Sequence, residues 1–378
     1  METKIIHITK ENIEATAKEA ADVWAQGGLV AFPTETVYGL GGNGLNKEAS
    51  KKIYAAKGRP SDNPLILHIA DMEQFYPLIK TDNAKIIARA EALADVFWPG
   101  PLTMILPKAD NIPYETTGGL DTVAIRMPSH LVARALLQEC KMPIAAPSAN
   151  LSGRPSPTSA SHVIEDMNGR IEMIIDGGDV GIGVESTIID LTGEVPMLLR
   201  PGFVTPEMLQ QVLGTVETDA AVYRQVGKDV HPKAPGMKYR HYAPKAPVTV
   251  VTGPAEASAR TILQMVKPGD GVICFDEFAE LFKEQEVECL GPSQDKRIQA
   301  QRVFDALRAF DSKDAAQIYA QCPDDTGLGL AIGNRLKKAA GFHVVNLKRE
   351  REHPMKIIGI TGGTGAGKTS ALHVLAEM

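Results

Sequence analysis

Short apolar runs alternate with longer amphipathic stretches along the first 214 residues of the chain. The helical spacing of apolar side chains predicts helices at 11–26, 47–57, 83–97, 131–140 and 206–213. Compact apolar runs predict strands at 29–32, 65–69, 103–106, 122–127, 143–146, 172–176, 186–190 and 197–200. Several of these strands follow one another with no helix between them, so the predicted sheet is mixed and not purely parallel.

Residues 247–347 show a more regular alternation of strands and helices. The pattern predicts strands at 248–251, 271–275 and 317–320, helices at 255–266, 298–310 and 330–340, and a helical turn at 279–283. This alternation indicates a small doubly wound α/β domain. The first of its strands runs into VVTGPAEA, which lacks the spacing of a G-x-G-x-x-G motif, and dinucleotide binding is therefore not predicted there.

Composition narrows the class of protein. The 378 residues are 44% hydrophobic and 23% charged, values that are ordinary for a globular protein and argue against extended disorder. A formal net charge of -6 argues against wholesale electrostatic binding of nucleic acid. The four cysteines form no C-x-x-C pair, which gives no support to a zinc-finger or redox motif. The absence of a signal-like N-terminus and of a long apolar stretch predicts a cytoplasmic protein without a membrane span.

A strongly basic segment separates the two parts of the chain. Residues 224–245 carry six Lys or Arg side chains against one Asp, a local charge of +5, and they are rich in Pro and Gly. Such a composition is typical of an irregular linker. With Tyr239 and Tyr242 it also suits binding of tRNA through phosphates and stacking, although a solvated linker is the commoner case. The predicted organisation is a domain at 5–214, a linker at 215–246 and a smaller domain at 247–347.

Polar residues crowd into the loops at the strand ends of the first domain, where binding sites are usually built. The segments dense in Gly, Pro, Ser and Thr are PTETVYGLG (33–41), AAKGRPSDNPLILHI (55–69), WPGPLT (98–103), GLDTVAIRMPSH (119–130), APSANLSGRPSPTS (146–159) and GVESTIIDL (183–191), with LLRPG (198–202) after them. One such cluster alone is more often a simple turn, but six in 200 residues favour a site. The cations among them suit an anionic, phosphate-bearing ligand.

Taken in order, these segments resemble the threonylcarbamoyl-AMP synthase family, the YrdC-type proteins, in its long two-domain form, over about residues 5–345. The resemblance implies an α/β fold with a YrdC-like mixed twisted sheet around a large cavity, plus a smaller Rossmann-like doubly wound C-terminal domain. It implies that L-threonine, bicarbonate or CO2, and ATP give L-threonylcarbamoyladenylate and pyrophosphate. This is the first step of threonylcarbamoyl modification of the tRNA adenosine next to the anticodon. It also implies that the linker at 215–246 acts as a lid over the nucleotide.

The resemblance assigns candidate roles to thirteen residues. The implied catalytic cations facing the ATP phosphates are Lys57 and Arg59. The implied ATP contacts are Arg59, Asn63, Thr122, Ser148, Ser156, Arg200 and Tyr242. The implied threonine contacts are Thr36, His68, Arg126, Ala146 and Ser186. The guanidinium of Arg126 suits the threonine carboxylate because its fork can donate two parallel hydrogen bonds. His68 has a second interpretation, because a histidine inside an apolar strand is usually a packed core residue.

The resemblance also implies magnesium and a downstream partner. Mg²⁺ is expected to be held mainly through the ATP phosphates, because no carboxylate cluster with metal-ligand spacing stands out in the sequence. A tRNA threonylcarbamoyl transferase is the expected partner, and contact with tRNA is allowed but not required. Two alternatives stay open: an RNA-binding protein without catalysis, which the acidic first domain disfavours, and a synthase-like domain that uses carbamoyl phosphate, which the long form disfavours.

The last 24 residues carry a different signature. Residues 355–378 read as an apolar strand, the P-loop spacing from Gly362 to Thr369, and a helical stretch. They resemble the start of a dephospho-CoA-kinase-like P-loop kinase. Only nine residues follow Thr369, with no Walker B strand, and a P-loop cradles phosphate only when a fold holds its amides in place. We therefore interpret this segment as a truncated P-loop fragment without a function of its own.

Overall fold

The computed structural model describes residues 1–225, 232–235, 237 and 241–347. The α-helices in this part are α1 (Ile13–Ala25), α2 (Lys47–Lys57), α3 (Met72–Phe75), α4 (Ala84–Phe97), α5 (Tyr114–Thr117), α6 (Leu131–Cys140), α7 (Ala160–Met167), α8 (Pro206–Leu213), α9 (Ala255–Met265), α10 (Lys296–Ala309) and α11 (Leu328–Ala339). Short 3-10 helices lie at Tyr76–Leu78, Ala220–Val222 and Asp276–Phe282. None of the described helices is long and apolar enough to cross a bilayer.

Two sheets lie within one compact unit, residues 1–347. Their strands are β1 (Lys4–His7), β2 (Val30–Phe32), β3 (Gly39–Asn43), β4 (Ile66–His68), β5 (Leu102–Pro107), β6 (Thr122–Arg126), β7 (Ile144–Ala145), β8 (Met173–Asp176), β9 (Thr187–Asp190), β10 (Met197–Arg200), β11 (Glu217–Thr218), β12 (Val248–Thr252), β13 (Gly271–Phe275), β14 (Glu286–Gly291), β15 (Ile318–Cys322) and β16 (Val344–Asn346). The sequence prediction for the P-loop fragment at 355–378, and for Lys228, Lys238, Tyr239 and Arg240 of the linker, lies outside the described residues.

The larger sheet has eleven strands in the order β1-β8-β2-β3-β7-β4-β6-β5-β9-β10-β11. The pairs β1–β8, β2–β8, β4–β6, β5–β9 and β10–β11 are parallel. The pairs β2–β3, β3–β7, β4–β7, β5–β6 and β9–β10 are antiparallel. The prediction of a mixed sheet is confirmed. Most of the polar motifs follow or precede strands at the centre of this order, which brings them together.

Apolar cores lie on both faces of the larger sheet. Val30 and Phe32 of β2 belong to a core built with α1 and α6. Their neighbours Leu29 and Ala31 belong to a second core that includes apolar side chains of α2 and α4. Since successive side chains of a strand point to opposite faces, a strand covered on both sides reads as one continuous apolar run. This explains why LVAF is apolar at every position.

The linker covers part of one sheet face. Ile66 of β4, Ala124 of β6 and Ile188 of β9 form a small apolar cluster with Ala234 and Met237 of the linker. Side chains two positions apart on a strand share a face. The residues two positions beyond Ile66 and Ala124 are the predicted site residues of β4 and β6. The linker therefore lies over the same face of the sheet as those side chains.

The smaller sheet is wholly parallel, in the order β14-β13-β15-β12-β16. The prediction of a second, parallel α/β sheet is confirmed. The sequence pattern misses β14 and β16, which are the two edge strands, because partly exposed strands need fewer apolar residues. The helical turn predicted at 279–283 is a longer 3-10 helix, Asp276–Phe282.

The predicted helices and strands agree with the structure to within two residues at each end, but several elements were not predicted. Among these, β3 has the sequence GLGGN, which reads as a turn. Glycine is needed there because a Cβ at Gly41 would lie 2.8 Å from side-chain atoms of both Phe32 and Ile144. A glycine-rich strand of this kind marks a close approach of neighbouring chains.

Candidate active site

A cavity opens over the central strands of the larger sheet, where the motif-bearing loops meet. Eleven of the thirteen residues singled out from the sequence line it, namely Thr36, Lys57, Arg59, His68, Arg126, Ala146, Ser148, Ser156, Ser186, Arg200 and Tyr242. The structure does not place the other two on the wall. Asn63 lies beside it, where its main-chain oxygen accepts hydrogen bonds from Arg59 at 3.3 Å. Thr122 is the half-buried first residue of β6, at the opposite end of that strand from Arg126.

Sheet register sets one side of the cavity. His68 of β4 pairs with Arg126 of β6, which pairs in turn with Thr103 of β5. Residues that pair directly across strands have their side chains on the same face. The side chains of His68, Arg126 and Thr103, which come from three different strands, therefore lie in one row on the same face of the sheet. The loop between β2 and β3 completes this side, because Arg126 Nη1 donates to Thr36 Oγ1 at 2.9 Å.

A buried ion pair orients Arg126. Its Nη2 donates to Glu35 Oε1 at 2.6 Å, and Glu35 Oε2 accepts from the main-chain N–H of Ser129 at 3.1 Å and of His130 at 3.3 Å. Burial alone would raise the pKa of Glu35, but Arg126 and the surrounding N–H groups bring it below its usual value, so the carboxylate stays ionised. Within the described contacts, the guanidinium still has two of its five N–H donors unused after its long bond to Gly100, so it can still bind an anion.

His68 is a neutral histidine in this wall. It is buried, its Nδ1 lies 3.1 Å from the main-chain oxygen of Ile66, and its ring meets Phe32 edge to face. Burial and the nearby Arg126 lower the pKa of His68 to about 3. The two interpretations of this residue from the sequence are therefore compatible, because a packed histidine also faces the cavity.

The buried histidine has a consequence for stability. The pKa of His68 is about 3 in the folded chain and about 6.5 when it unfolds. As pH falls below about 6.5, His68 becomes protonated in the unfolded chain but stays neutral in the folded chain. This site alone should then lower the free energy of unfolding by about 1.4 kcal/mol per pH unit.

Chemical denaturation at several pH values between about 4 and 7 measures this slope. We expect a His68→Gln variant to show a shallower loss of stability with acid than the unchanged chain. A matched substitution at the exposed His343 should leave the slope as it is. Equal slopes for the His68 variant and the unchanged chain would contradict the assignment of a neutral His68.

Lys57 also lines the cavity, and it comes from a helix and not from the sheet. It is the last residue of α2, which begins at an Asn46 cap and ends at Gly58 with a left-handed φ of 62°. Its Nζ donates to the main-chain oxygens of Ser148 and Asn150, both at 2.5 Å. Burial and the neighbouring Arg59 hold the pKa of Lys57 well below its usual range. An anion entering the cavity would favour the protonated form.

A second hydrogen-bonded chain forms another part of the cavity wall. Arg200 Nε and Nη2 donate to the main-chain and side-chain oxygens of Ser186, at 2.9 and 3.1 Å. The Ser186 hydroxyl also lies 2.8 Å from Thr103 Oγ1, which ties it to the row of β5 and β6. Next to it, Ser156 Oγ donates to Glu185 Oε1 at 2.5 Å. The wall therefore presents hydroxyls that are held in fixed positions by charged partners.

Two acidic residues of the site, Glu35 and Glu185, are not among the residues predicted from the sequence. Each stands directly before a predicted site residue, in PTETV and in VESTI. A carboxylate inside a motif of buried hydroxyls and cations must be paired, and that pairing requirement was the available signal. The Arg335 that pairs with Glu185 lies 150 positions further along the chain, and this pairing left no local signal in the sequence.

The charge of the cavity favours an anionic ligand. Its lining includes Lys57, Arg59, Arg126, Arg154 and Arg200. Among the lining residues that the structure describes, Glu185 is the sole carboxylate, and it is already paired. The described residues contain no group of three or more His, Cys, Asp or Glu side chains placed to hold a metal ion. Such a cavity suits phosphate and carboxylate groups.

Comparisons with known proteins place the chain in a family. A family model described as "Telomere recombination" matches residues 22–202, and a model described as "Threonylcarbamoyl-AMP synthase, C-terminal domain" matches residues 204–341. The threonylcarbamoyl-AMP synthase of Pyrococcus abyssi is 49% identical over 350 residues, 91% of this chain and 100% of that protein. That of Bacillus subtilis is 48% identical over 330 residues, 86% of this chain and 93% of that protein.

A solved structure extends the similarity to three dimensions. The crystal structure of P. abyssi Sua5 complexed with L-threonine has a TM-score of 0.83 and 46% identity to this chain. The similarity covers 92% of this chain and 100% of that one. A histidine–tyrosine double alanine variant of the same protein gives a TM-score of 0.85 at 47% identity, over 91% and 98% of the two chains. This chain therefore belongs to the two-domain threonylcarbamoyl-AMP synthase family of nucleotidyl-transferring enzymes.

Proposed function

We propose that this chain makes L-threonylcarbamoyladenylate and pyrophosphate from L-threonine, bicarbonate or CO2, and ATP. The observation that carries the proposal is the convergence of eleven residues from separate motifs on one cation-lined cavity. The L-threonine bound by the related P. abyssi protein supports the amino acid substrate. Membership of a family named for the adenylate supports ATP.

The reaction needs position and charge more than a protein nucleophile. With CO2, the threonine nitrogen bonds to the carbon and loses a proton; with bicarbonate, it bonds to the carbon and water leaves. Either route gives a carbamate. A carbamate oxygen then bonds to the α-phosphorus of ATP as the bond to the β-phosphate oxygen breaks, and pyrophosphate leaves. Holding three substrates in one orientation and neutralising the phosphate charge supplies most of the catalysis in such transfers.

The proposed threonine site is formed by side chains of β4, β6 and the β2–β3 loop. The two unused N–H groups of Arg126 would meet the threonine carboxylate. The hydroxyls of Thr36 and Ser186 would bind the polar groups next to it. His68, being neutral, packs without adding charge, and Ala146 leaves room at the wall.

Other residues of the cavity form the proposed nucleotide site. Lys57 and Arg59 would neutralise the triphosphate, while Ser148, Ser156 and Arg200 line the path of the nucleotide. Asn63 and Thr122 complete the expected set from outside the cavity wall. Magnesium enters as part of the MgATP substrate, bound through phosphate oxygens, because the Glu185 carboxylate is held by Ser156 and Arg335.

The linker and the domain limits complete the proposal. Residues 5–214 form the catalytic domain, 215–246 a lid and 247–347 the second domain. Tyr242, at the end of the linker, is buried against the cavity and would close over the nucleotide. The adenylate would pass to a tRNA threonylcarbamoyl transferase, with no requirement for this chain itself to bind tRNA.

Pyrophosphate release from ATP tests the reaction directly. We expect release only when L-threonine, bicarbonate and Mg²⁺ are all present, and we expect each omission to bring the rate to background. Mass spectrometry of the product should show threonylcarbamoyladenylate. Pyrophosphate release that does not depend on threonine would overturn the proposal. Salt-dependent tRNA binding without ATP turnover would favour the RNA-binding alternative.

A further inference from the structure

An arginine of the second domain is buried behind the cavity wall of the first. Arg335, on α11, is 0% exposed. Its Nε donates to Glu185 Oε2 at 2.7 Å, and its Nη1 donates to the main-chain oxygen of Pro201 at 2.9 Å. Both acceptors belong to the first domain, in the segments that carry Ser186 and Arg200. The contact is therefore a charged, fully buried link between the domains.

Glu185 connects Arg335 to the cavity wall. The same carboxylate that accepts from Arg335 through Oε2 accepts from the Ser156 hydroxyl through Oε1, at 2.5 Å. Glu185 and Ser156 both line the cavity. Burial alone would raise the pKa of Glu185, but Arg335 and then Arg200 bring it to about 2, so the carboxylate is ionised and its geometry is fixed by charge.

Tyr242 of the linker meets the same arginine. The guanidinium carbon of Arg335 lies 5.8 Å from the centre of the Tyr242 ring, within the range of a cation–π contact. Another neighbour of that ring is Phe304 of α10, at 5.0 Å between ring centres. Two helices of the second domain therefore hold the linker side chain that reaches the cavity.

We propose that Arg335 is a positioning residue for the nucleotide, through which the second domain holds Glu185, Ser156 and Tyr242 in their places on the cavity wall. This inference rests on the proposed function, because it gives the second domain a part in that reaction. Arg335 itself does not line the cavity and is not a catalytic residue. It acts through a carboxylate, a hydroxyl and a ring that do line it.

Loss of Arg335 should disturb the nucleotide side in a specific way. A buried carboxylate that loses one of two cations is drawn toward the other. For Glu185 the remaining cation is Arg200, which now holds both oxygens of Ser186. The expected result is displacement of Ser156 and Tyr242, while Arg200 keeps its two bonds to Ser186. Ser156 and Tyr242 are nucleotide contacts in the proposal, whereas Arg126 and Thr36 are threonine contacts in it.

The test compares four full-length variants, Arg335→Met, Arg335→Lys, Glu185→Gln with Arg335→Met, and Arg260→Met. Arg260 is the matched control, because it lies on α9 of the same domain with a side chain that is 72% exposed. Pyrophosphate release gives kcat and the KM values for ATP and threonine. Isothermal calorimetry with a non-hydrolysable ATP analogue gives its Kd, and thermal melts report folding.

We expect Arg335→Met to raise KM for ATP and the Kd of the analogue by about tenfold or more, with threonine KM changed less than about twofold. Arg335→Lys should recover part of the loss. The double variant, which adds Glu185→Gln, should bind ATP better than Arg335→Met alone. The reason is that a neutral amide at this position needs no cation, while its side-chain oxygen can still accept from Ser156. The Arg260→Met control should match the unchanged chain.

Other results would overturn the inference. A lowered melting temperature with unchanged KM and Kd for ATP would show a merely structural contact. An equal rise in the KM values for ATP and for threonine would also show a merely structural contact. If Arg335→Met does not fold, the lysine and double variants decide by the same criteria. If the unchanged chain binds the analogue but releases no pyrophosphate with threonine, the proposed function fails, and the Kd series still decides the role of Arg335.

Discussion

A Lys57→Ala variant is expected to form the adenylate about two to three orders of magnitude more slowly than the unchanged chain, with saturating threonine and bicarbonate. Lys57 lies buried at the cavity wall, where its Nζ is held by the oxygens of Ser148 and Asn150. A cation in such a low-dielectric position interacts with a triphosphate far more strongly than one in water. The measurement is the initial rate of pyrophosphate release as a function of ATP concentration.

The control for this variant is Lys51→Ala on the same helix. The Lys51 side chain is 53% exposed and pairs with Glu48 on the surface, so its loss should leave the rate unchanged. Circular dichroism and a thermal melt establish that Lys57→Ala is folded. A folded Lys57→Ala enzyme that keeps a rate within about threefold of the unchanged chain would remove Lys57 from the proposed mechanism.

An Arg126→Lys variant is expected to raise the KM for threonine by about 30-fold or more while the KM for ATP changes little. Lysine keeps a positive charge beside Glu35 but loses the planar fork that can donate two parallel hydrogen bonds to a carboxylate. Arg126→Ala is a poorer test, because removing one partner of a buried ion pair costs about 3–5 kcal/mol of stability. Titration of threonine at fixed ATP, and of ATP at fixed threonine, separates the two KM values.

Arg170→Lys provides the matched control, because Arg170 is exposed on the surface of the same domain. We expect its two KM values to equal those of the unchanged chain. If Arg126→Lys leaves the threonine KM unchanged, the threonine carboxylate does not bind at Arg126. If both KM values rise together, Arg126 supports the cavity as a whole and the division into a threonine side and a nucleotide side is wrong.

Much of the larger domain could be predicted from local pattern. The helices 47–57 and 206–213 have the predicted ends, because a cap, a glycine or a proline marks each boundary in the sequence. The strands that were missed lie where local pattern is weak. β3 is rich in glycine because its neighbours approach closely, and β14 and β16 are edge strands with few apolar positions.

The sequence predicted the candidate site as a set of motifs. The register of the sheet decides how the residues of those motifs are arranged in space. Register places His68, Arg126 and Thr103 in one row although they lie on β4, β6 and β5. Asn63 and Thr122 were singled out from the same kind of motif, yet they lie off the cavity wall. Sequence alone could not separate them from the lining residues, because strand direction and loop path decide which side chains reach the cavity.

By itself, the sequence determined the type of most elements, the mixed character of the first sheet, and the family resemblance, because caps, periodicity and motif order are local properties. Only the tertiary structure decided the electrostatic partners. Glu35 is held to Arg126, and Glu185 to an arginine 150 positions further along the chain. A buried charge must find its counter-charge wherever the fold brings one, and that distance in sequence leaves no local pattern. The second domain carries none of these motifs, yet its Arg335 holds a carboxylate of the cavity wall from behind.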